Sequence, residues 1–304
     1  MPMSKIPYYI RSMRLRTLPL SLAGVVLGIM LAASDYRVKF SVILWTILTT
    51  VLLQILSNLS NELGDTLSGV DGEQREGPQY SIGEGTLTIP EMKRFIVATA
   101  ILCAISGLVM IRLSFGTFFG IEPLCLIALG AAAMGGAVKY TLGRNPYGYR
   151  GYGDIAVFIF FGLVSVLGAY FVVSHALPTW ITLLPACAMG CFSVGVLNVN
   201  NIRDMQSDAG IRVTTPLRIG LKNARIYHTV LIGGGWICLT AFNLNRYPDP
   251  WHYLFFITLP LYIIHLKGIW TKTGKELDPM LPLLVMSTFL LSILLGIGYL
   301  IFLI

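Results

Sequence analysis

Long apolar stretches separated by short polar segments run through almost the whole sequence. A helix needs about 20 residues to cross a bilayer, and nine stretches meet that length. They lie at roughly 17–34, 40–60, 92–113, 118–142, 154–175, 179–200, 226–245, 252–270 and 281–304. The stretches lack the alternation of a barrel strand. The pattern predicts an all-α membrane protein, a single bundle of about nine transmembrane helices over residues 1–304.

Composition and charge agree with this prediction. Hydrophobic residues make up 55% of the 304 residues and charged residues only 12%, against about 25% in an average soluble domain. The 22 Lys and Arg residues divide into 18 on one side of the predicted bundle and 4 on the other. Basic residues concentrate on the cytoplasmic side of membrane proteins. We therefore expect a cytoplasmic N-terminus in a bacterial inner membrane, and the net charge of +7 does not indicate a nucleic-acid partner.

Two similar polar motifs follow the second and sixth apolar stretches. They read SNLSNELGD and LNVNNIRDMQSD, each with Asn-x-x-Asn before its aspartates. On a helix each motif forms a narrow stripe, and a stripe that faced lipid would cost several kcal/mol. The repeat predicts two halves, roughly 1–150 and 151–304, whose stripes face each other at the cytoplasmic end. The stripe residues are Asn58, Asn61, Glu62 and Asp65 in the first half, and Asn201, Asp204 and Asp208 in the second.

The acidic residues of these motifs predict a metal site. Two carboxylates 4 Å apart repel each other by roughly 4 kcal/mol at an effective dielectric near 20, so a cation is expected between them. Carboxylate and amide oxygens favour Mg²⁺, which commonly shares substrate phosphate oxygens. Two facing stripes would clamp a diphosphate through bridging Mg²⁺, with two ions expected and the active site towards the cytoplasm. The predicted metal ligands are Asn61, Glu62, Asp65, Asp71, Asp204 and Asp208.

Basic and aromatic residues beside these motifs are candidate substrate-binding groups. Arginine and lysine suit an anionic leaving group, and tyrosine faces can stabilise a cation. A third polar cluster, KYTLGRNPYGYRGYGD at 139–154, supplies several of them. The candidates for substrate binding are Asn58, Arg75, Tyr140, Arg144, Tyr147, Tyr149, Asn198, Asn201, Arg203, Arg212 and Lys222, and those for catalysis are Asn61, Asp65, Asp71, Lys139, Asp154, Asp204 and Asp208.

At these clusters the sequence resembles the UbiA superfamily of intramembrane prenyltransferases. The resemblance rests on NELGDTLSGVD, DMQSD, GVDGEQREGP, NPYGYRGYGD and TPLRIG, and within the family it is strongest to the branch that prenylates 1,4-dihydroxy-2-naphthoate. Two positions depart from the family pattern. Glu62 stands where Asp is usual, and Asp71 lies ten residues after Asn61, the longer spacing of the naphthoate branch.

The resemblance implies an enzyme that transfers a polyprenyl group in the lipid bilayer. Its substrates would be a polyprenyl diphosphate and 1,4-dihydroxy-2-naphthoate, and its products CO₂, diphosphate and demethylmenaquinol, a step of menaquinone biosynthesis. Prenylation of 4-hydroxybenzoate, homogentisate or haem stays open as an alternative. A transporter is another, since transporters also carry intramembrane acids. The acids here lie at the ends of spans, whereas those of transporters lie in mid-span, which favours the enzyme.

Overall fold

A computed structural model describes residues 5–69, 81–246 and 249–301 of the chain. Within these ranges nine long helices succeed one another, and one parallel backbone bridge joins Arg150 to Val213. A short helix at Ile6–Ser12 precedes them. The long helices are α1 Leu18–Asp35, α2 Phe40–Leu67, α3 Ile89–Phe115, α4 Ile121–Lys139, α5 Gly153–Ser174, α6 Trp180–Arg203, α7 Thr215–Asn245, α8 Pro250–Thr271 and α9 Met280–Leu300.

The helices match the predicted all-α membrane bundle. Within the described ranges, 8 helical segments are long and apolar enough to cross a membrane, which confirms eight of the nine predicted spans. The ninth prediction, 226–245, lies in α7, which is less apolar because it carries His228 and Asn243. The chain breaks helical geometry at Gly220, and the helix beyond it is about 37 Å long at 1.5 Å per residue. That length exceeds the roughly 30 Å hydrocarbon layer, so we retain α7 as the seventh span.

Close glycine contacts bring α1, α5 and α6 together. A Cβ atom added at Gly162 of α5 would lie 2.6 Å from the Cα of Gly190 on α6, and one at Gly28 of α1 would lie 2.3 Å from the Val166 carbonyl oxygen. Small residues let membrane helices approach closely enough for extensive van der Waals packing. The main hydrophobic core forms around these helices with α7, α8 and α9, and a separate one joins α2 to the start of α3.

The predicted orientation of the bundle can be tested with introduced cysteines. Gln206 and Asn245 are both exposed; Gln206 lies in the connection between α6 and α7, and Asn245 is the last residue of α7. In a variant without the five native cysteines, Gln206→Cys should react with a membrane-impermeant maleimide only from the cytoplasmic side, and Asn245→Cys only from outside. Labelling with the two sides exchanged would contradict the orientation derived from basic residues.

Candidate active site

A cavity of about 400 Å³ lies among α1, α2, α4, α5 and α6. It borders α2 from Asp65 to Thr46, a distance of about 28 Å along the helix axis. The end near Asp65 is polar and the remainder is mostly apolar. Its polar end is lined by Arg14, Asn61, Asp65, Tyr140, Asp154, Asn200, Asn201 and Arg212, and its apolar length by residues that include Leu126, Leu129, Ala133, Phe160, Val164 and Val172.

The second acidic motif is buried beside this polar end. Asp208 is 1% exposed, and its Oδ1 accepts a hydrogen bond from Arg212 at 2.7 Å. Its Oδ2 is buried and accepts no hydrogen bond from any described residue. Burial raises the pKa of Asp208 above its usual value, and the Arg212 guanidinium opposes that shift. An orphaned carboxylate oxygen of this kind would gain from a cation.

The neighbouring carboxylate, Asp204, is held by an arginine. Nε and Nη2 of Arg203 donate to Oδ1 and Oδ2 of Asp204 at 2.7 and 2.8 Å. The same guanidinium also donates to Asp278 at 3.0 Å and to Asn200 at 2.6 Å. Arg203, a predicted substrate-binding residue, is therefore buried in a network that fixes the end of α6, and it lies outside the cavity lining.

The oxygen donors at this end fit a hard divalent cation. Burial opposes the charged form of Arg212, but the carboxylates of Asp208, Asp65 and Asp204 outweigh it and raise the pKa of the guanidinium. Among the described residues, no three carboxylates, imidazoles or thiols alone form a metal-binding group. Mg²⁺ is usually bound through only one or two carboxylates, together with substrate phosphates and water. A shared site of this type suits Asp65 and Asp208 with the amide oxygen of Asn61.

In each Asn-x-x-Asn pair, the second asparagine lines the cavity and the first bonds a backbone carbonyl of a neighbouring element. Asn61 and Asn201 line the cavity. Asn58 instead donates to the Met13 carbonyl at 2.8 Å, and Asn198 donates to the Ala224 carbonyl at 3.1 Å. Two side chains spaced three residues apart on a helix point in directions about 60° apart around its axis. The first asparagine of each pair is therefore turned towards the neighbouring element and lies outside the lining.

Glu62 lies on a different side of α2 from the cavity-lining residues. It is fully buried, and its Oε1 accepts a hydrogen bond from the Ile82 amide at 3.0 Å. Ile82 follows the segment 70–80, which contains the predicted site residues Asp71 and Arg75. Those two residues lie outside the described part of the chain. The carboxylate of Glu62 thus anchors the backbone at Ile82.

This anchor gives a prediction for Glu62. The Gln variant keeps an acceptor oxygen for the Ile82 amide, so Glu62→Gln should retain activity within a few-fold. Glu62→Ala should lose about tenfold or more because a buried amide then loses its partner. Turnover of both purified variants measures the difference. Equal, severe losses in both would instead support a direct metal role for the charge.

The third polar cluster contributes unevenly to the cavity. Tyr140 and Tyr147 line it and meet edge to face with ring centroids 5.3 Å apart. Asp154 also lines it, and its Oδ2 accepts hydrogen bonds from Thr215 at 2.8 Å and Tyr227 at 3.0 Å. The other basic candidates are exposed and lie outside the lining; they are Lys139, Arg144 and Lys222.

Several neighbours of the site, among them Arg14, Thr215 and Tyr227, are not among the sequence candidates. Arg14 lines the cavity from the segment before α1, where its φ of 50° is unusual for a residue other than glycine. In the sequence, Arg14 is one of several basic residues near the N-terminus, and these indicate only the orientation of the bundle. Thr215 and Tyr227, which orient Asp154, lie in α7, and only the fold brings them to it.

The sequence matches a known protein family and several named relatives. The model of the UbiA prenyltransferase family matches residues 21–293. The chain is 37% identical to a 1,4-dihydroxy-2-naphthoate octaprenyltransferase of Escherichia coli, over 91% of this chain and 88% of that protein. It is 34% identical to the protein of the same name in Haemophilus influenzae, over 98% and 97%.

Solved structures show the same fold. A UbiA homologue from Archaeoglobus fulgidus, bound to GPP and Mg²⁺, superposes with a TM-score of 0.69 at 14% identity over 98% of this chain and 99% of that one. The apo UbiA homologue from Aeropyrum pernix gives 0.69 at 14% identity over 95% and 97%. With its bundle of apolar helices and the acidic end of its cavity, the chain is an integral membrane enzyme that belongs to the UbiA prenyltransferase family.

Proposed function

We propose that this protein transfers a polyprenyl group from polyprenyl diphosphate to 1,4-dihydroxy-2-naphthoate. The observation that carries the proposal is one cavity with two chemically different parts. Its polar end collects carboxylate, amide and guanidinium groups, and its apolar length would accommodate a hydrocarbon chain. Relatives that cover most of the chain carry the corresponding name.

The diphosphate belongs at the polar end. Asn61, Asp65 and Asp208 would hold Mg²⁺, with Asp71 and Asp204 as further candidates. When bound, Mg²⁺ neutralises the charge that develops on the departing diphosphate. Arg212 lines the cavity beside this group and would bind phosphate oxygens directly, as guanidinium groups commonly do.

The prenyl chain belongs in the apolar part of the cavity, where its hydrocarbon surface would be kept away from water. Breaking its C–O bond leaves an allylic cation, which the faces of Tyr140 and Tyr147 are placed to stabilise. Attack by the naphthoate ring carbon that bears the carboxylate forms the new C–C bond. The carboxylate then departs as CO₂, and its bonding electrons restore the aromatic ring, so the step needs no oxidant or reductant.

Asp154 is the cavity carboxylate suited to the acceptor. Thr215 and Tyr227 both donate to its Oδ2, which fixes the orientation of the group. Its hydrogen-bonding capacity would serve an acceptor hydroxyl. We propose that this end of the cavity faces the cytoplasm of a bacterial inner membrane, because the basic residues concentrate on that side.

An acceptor comparison tests the proposal. Purified protein in detergent receives Mg²⁺, a long-chain polyprenyl diphosphate and one acceptor at equal concentration. Prenylated product from 1,4-dihydroxy-2-naphthoate, at least about tenfold more than from 4-hydroxybenzoate or homogentisate, supports it. A preference for a single-ring acceptor would move the protein to another branch of the same family.

A further inference from the structure

Tyr149 connects the two acidic motifs through its side chain and its backbone. The hydroxyl donates to Oδ1 of Asp65 on α2 at 2.7 Å. The carbonyl oxygen accepts from the Val213 amide at 2.9 Å. Val213 follows Arg212, and Arg212 pairs with Asp208 at 2.7 Å. Tyr149 therefore bonds Asp65 of the first acidic motif directly, and through Val213 it bonds the backbone next to Arg212, the partner of Asp208.

The Tyr149 hydroxyl is suited to orient the carboxylate. The side chain is half-buried and lies outside the cavity lining, whereas Asp65 lines the cavity. The phenol hydroxyl is the donor in the bond to Asp65, since a carboxylate oxygen only accepts. Its hydrogen bond occupies Oδ1 of Asp65.

The backbone around Tyr149 is fastened to the second half of the protein. Arg218 donates to the Arg150 carbonyl at 2.9 Å. Gly151 has a φ of +85°, and a Cβ at this position would lie 2.7 Å from the Arg218 guanidinium. These contacts set the position of the tyrosine independently of the carboxylate that it bonds.

We infer that Tyr149 is a positioning residue for the metal site: it holds Asp65 in the orientation for metal binding and couples that orientation to the Arg212–Asp208 side. The inference rests on the metal use in the proposed function. Hydrogen-bond partners of metal ligands typically account for 10–100-fold in metal affinity. The role differs from binding the substrate, the role that the sequence suggests for Tyr149.

Binding of Mn²⁺ alone, measured by electron paramagnetic resonance on the full chain in detergent, tests the inference. Tyr149→Phe should weaken Mn²⁺ binding by about 10–100-fold. Tyr152→Phe is the matched control, because Tyr152 lies in the same segment with an exposed side chain, and it should bind Mn²⁺ as the unaltered protein does. Mn²⁺ binding does not depend on which aromatic acceptor is used, so this result is separate from that of the acceptor comparison.

A kinetic readout distinguishes positioning from general damage. Raising Mg²⁺ should restore most of the turnover of Tyr149→Phe, because the variant retains the ligands and loses only their orientation. A Mn²⁺ dissociation constant within about twofold of that of the unaltered protein would overturn the inference. Weak binding together with a turnover loss that no Mg²⁺ concentration restores would also overturn it, since that pattern indicates a structural role.

Discussion

Replacing Asp65 or Asp208 with asparagine is expected to reduce prenyl transfer by about 10³-fold or more, because each change removes a negative charge that would stabilise the metal. Asparagine is nearly the same size and keeps a carbonyl oxygen. It can still accept the hydrogen bond from Tyr149 at position 65 or from Arg212 at position 208. Folding and membrane insertion should therefore be preserved. Turnover of purified variants, matched for expression, measures the effect.

Glu122→Gln provides the control for these variants. Glu122 is an exposed acid in the first turn of α4, at the end of the helix that lies opposite Lys139. Its neutralisation removes the same charge and should leave the rate unchanged within about twofold. Near-normal turnover in either aspartate variant would show that the acidic end does not hold the metal.

Chelation is the second change with a large expected effect. EDTA should lower the rate by about 100-fold or more, and added Mg²⁺ or Mn²⁺ should restore it, because the candidate ligands are all oxygen atoms. EDTA already saturated with Mg²⁺ is the control and should not inhibit. Full activity in excess free EDTA would mean that Arg14, Arg212 and other cations bind the diphosphate without a metal.

Much of the fold follows from the apolar pattern. Eight of the spans predicted from length and hydropathy are helices apolar enough to cross a membrane, because a bilayer imposes a length and an internal hydrogen-bonding requirement on every segment. The exception, α7, shows the limit of hydropathy. Its His228 contacts His265 at 2.9 Å inside the bundle, so tertiary packing shelters polar groups that lower its apolar character.

Which residues line the cavity was harder to predict from the sequence than the helices were. Helical spacing put Asn61 and Asp65 on one face of α2, and both residues line the cavity. Helical spacing could not distinguish these two cavity residues from Asn58 and Glu62. Those lie at the edge of the same stripe and form hydrogen bonds with neighbouring segments. That distinction depends on which element packs beside each face of α2.

Charge alone also failed to identify which basic residues reach the cavity. Lys139, Arg144 and Lys222 are exposed and outside the lining, whereas Arg212 and Arg14 belong to it. The guanidinium of Arg203 donates its hydrogen bonds to Asp204 and neighbouring residues and does not line the cavity. Long basic side chains can turn in several directions, and the fold decides which direction each takes.

The most direct test of the account is the stoichiometry of the transfer reaction. 1,4-Dihydroxy-2-naphthoate labelled in its carboxyl carbon is incubated with the purified protein, Mg²⁺ and a polyprenyl diphosphate. We predict that labelled CO₂, diphosphate and unlabelled prenylated product appear in equal amounts and at the same rate. A prenylated product that keeps the labelled carboxyl group, or diphosphate release without any prenylated naphthoate, would contradict the account.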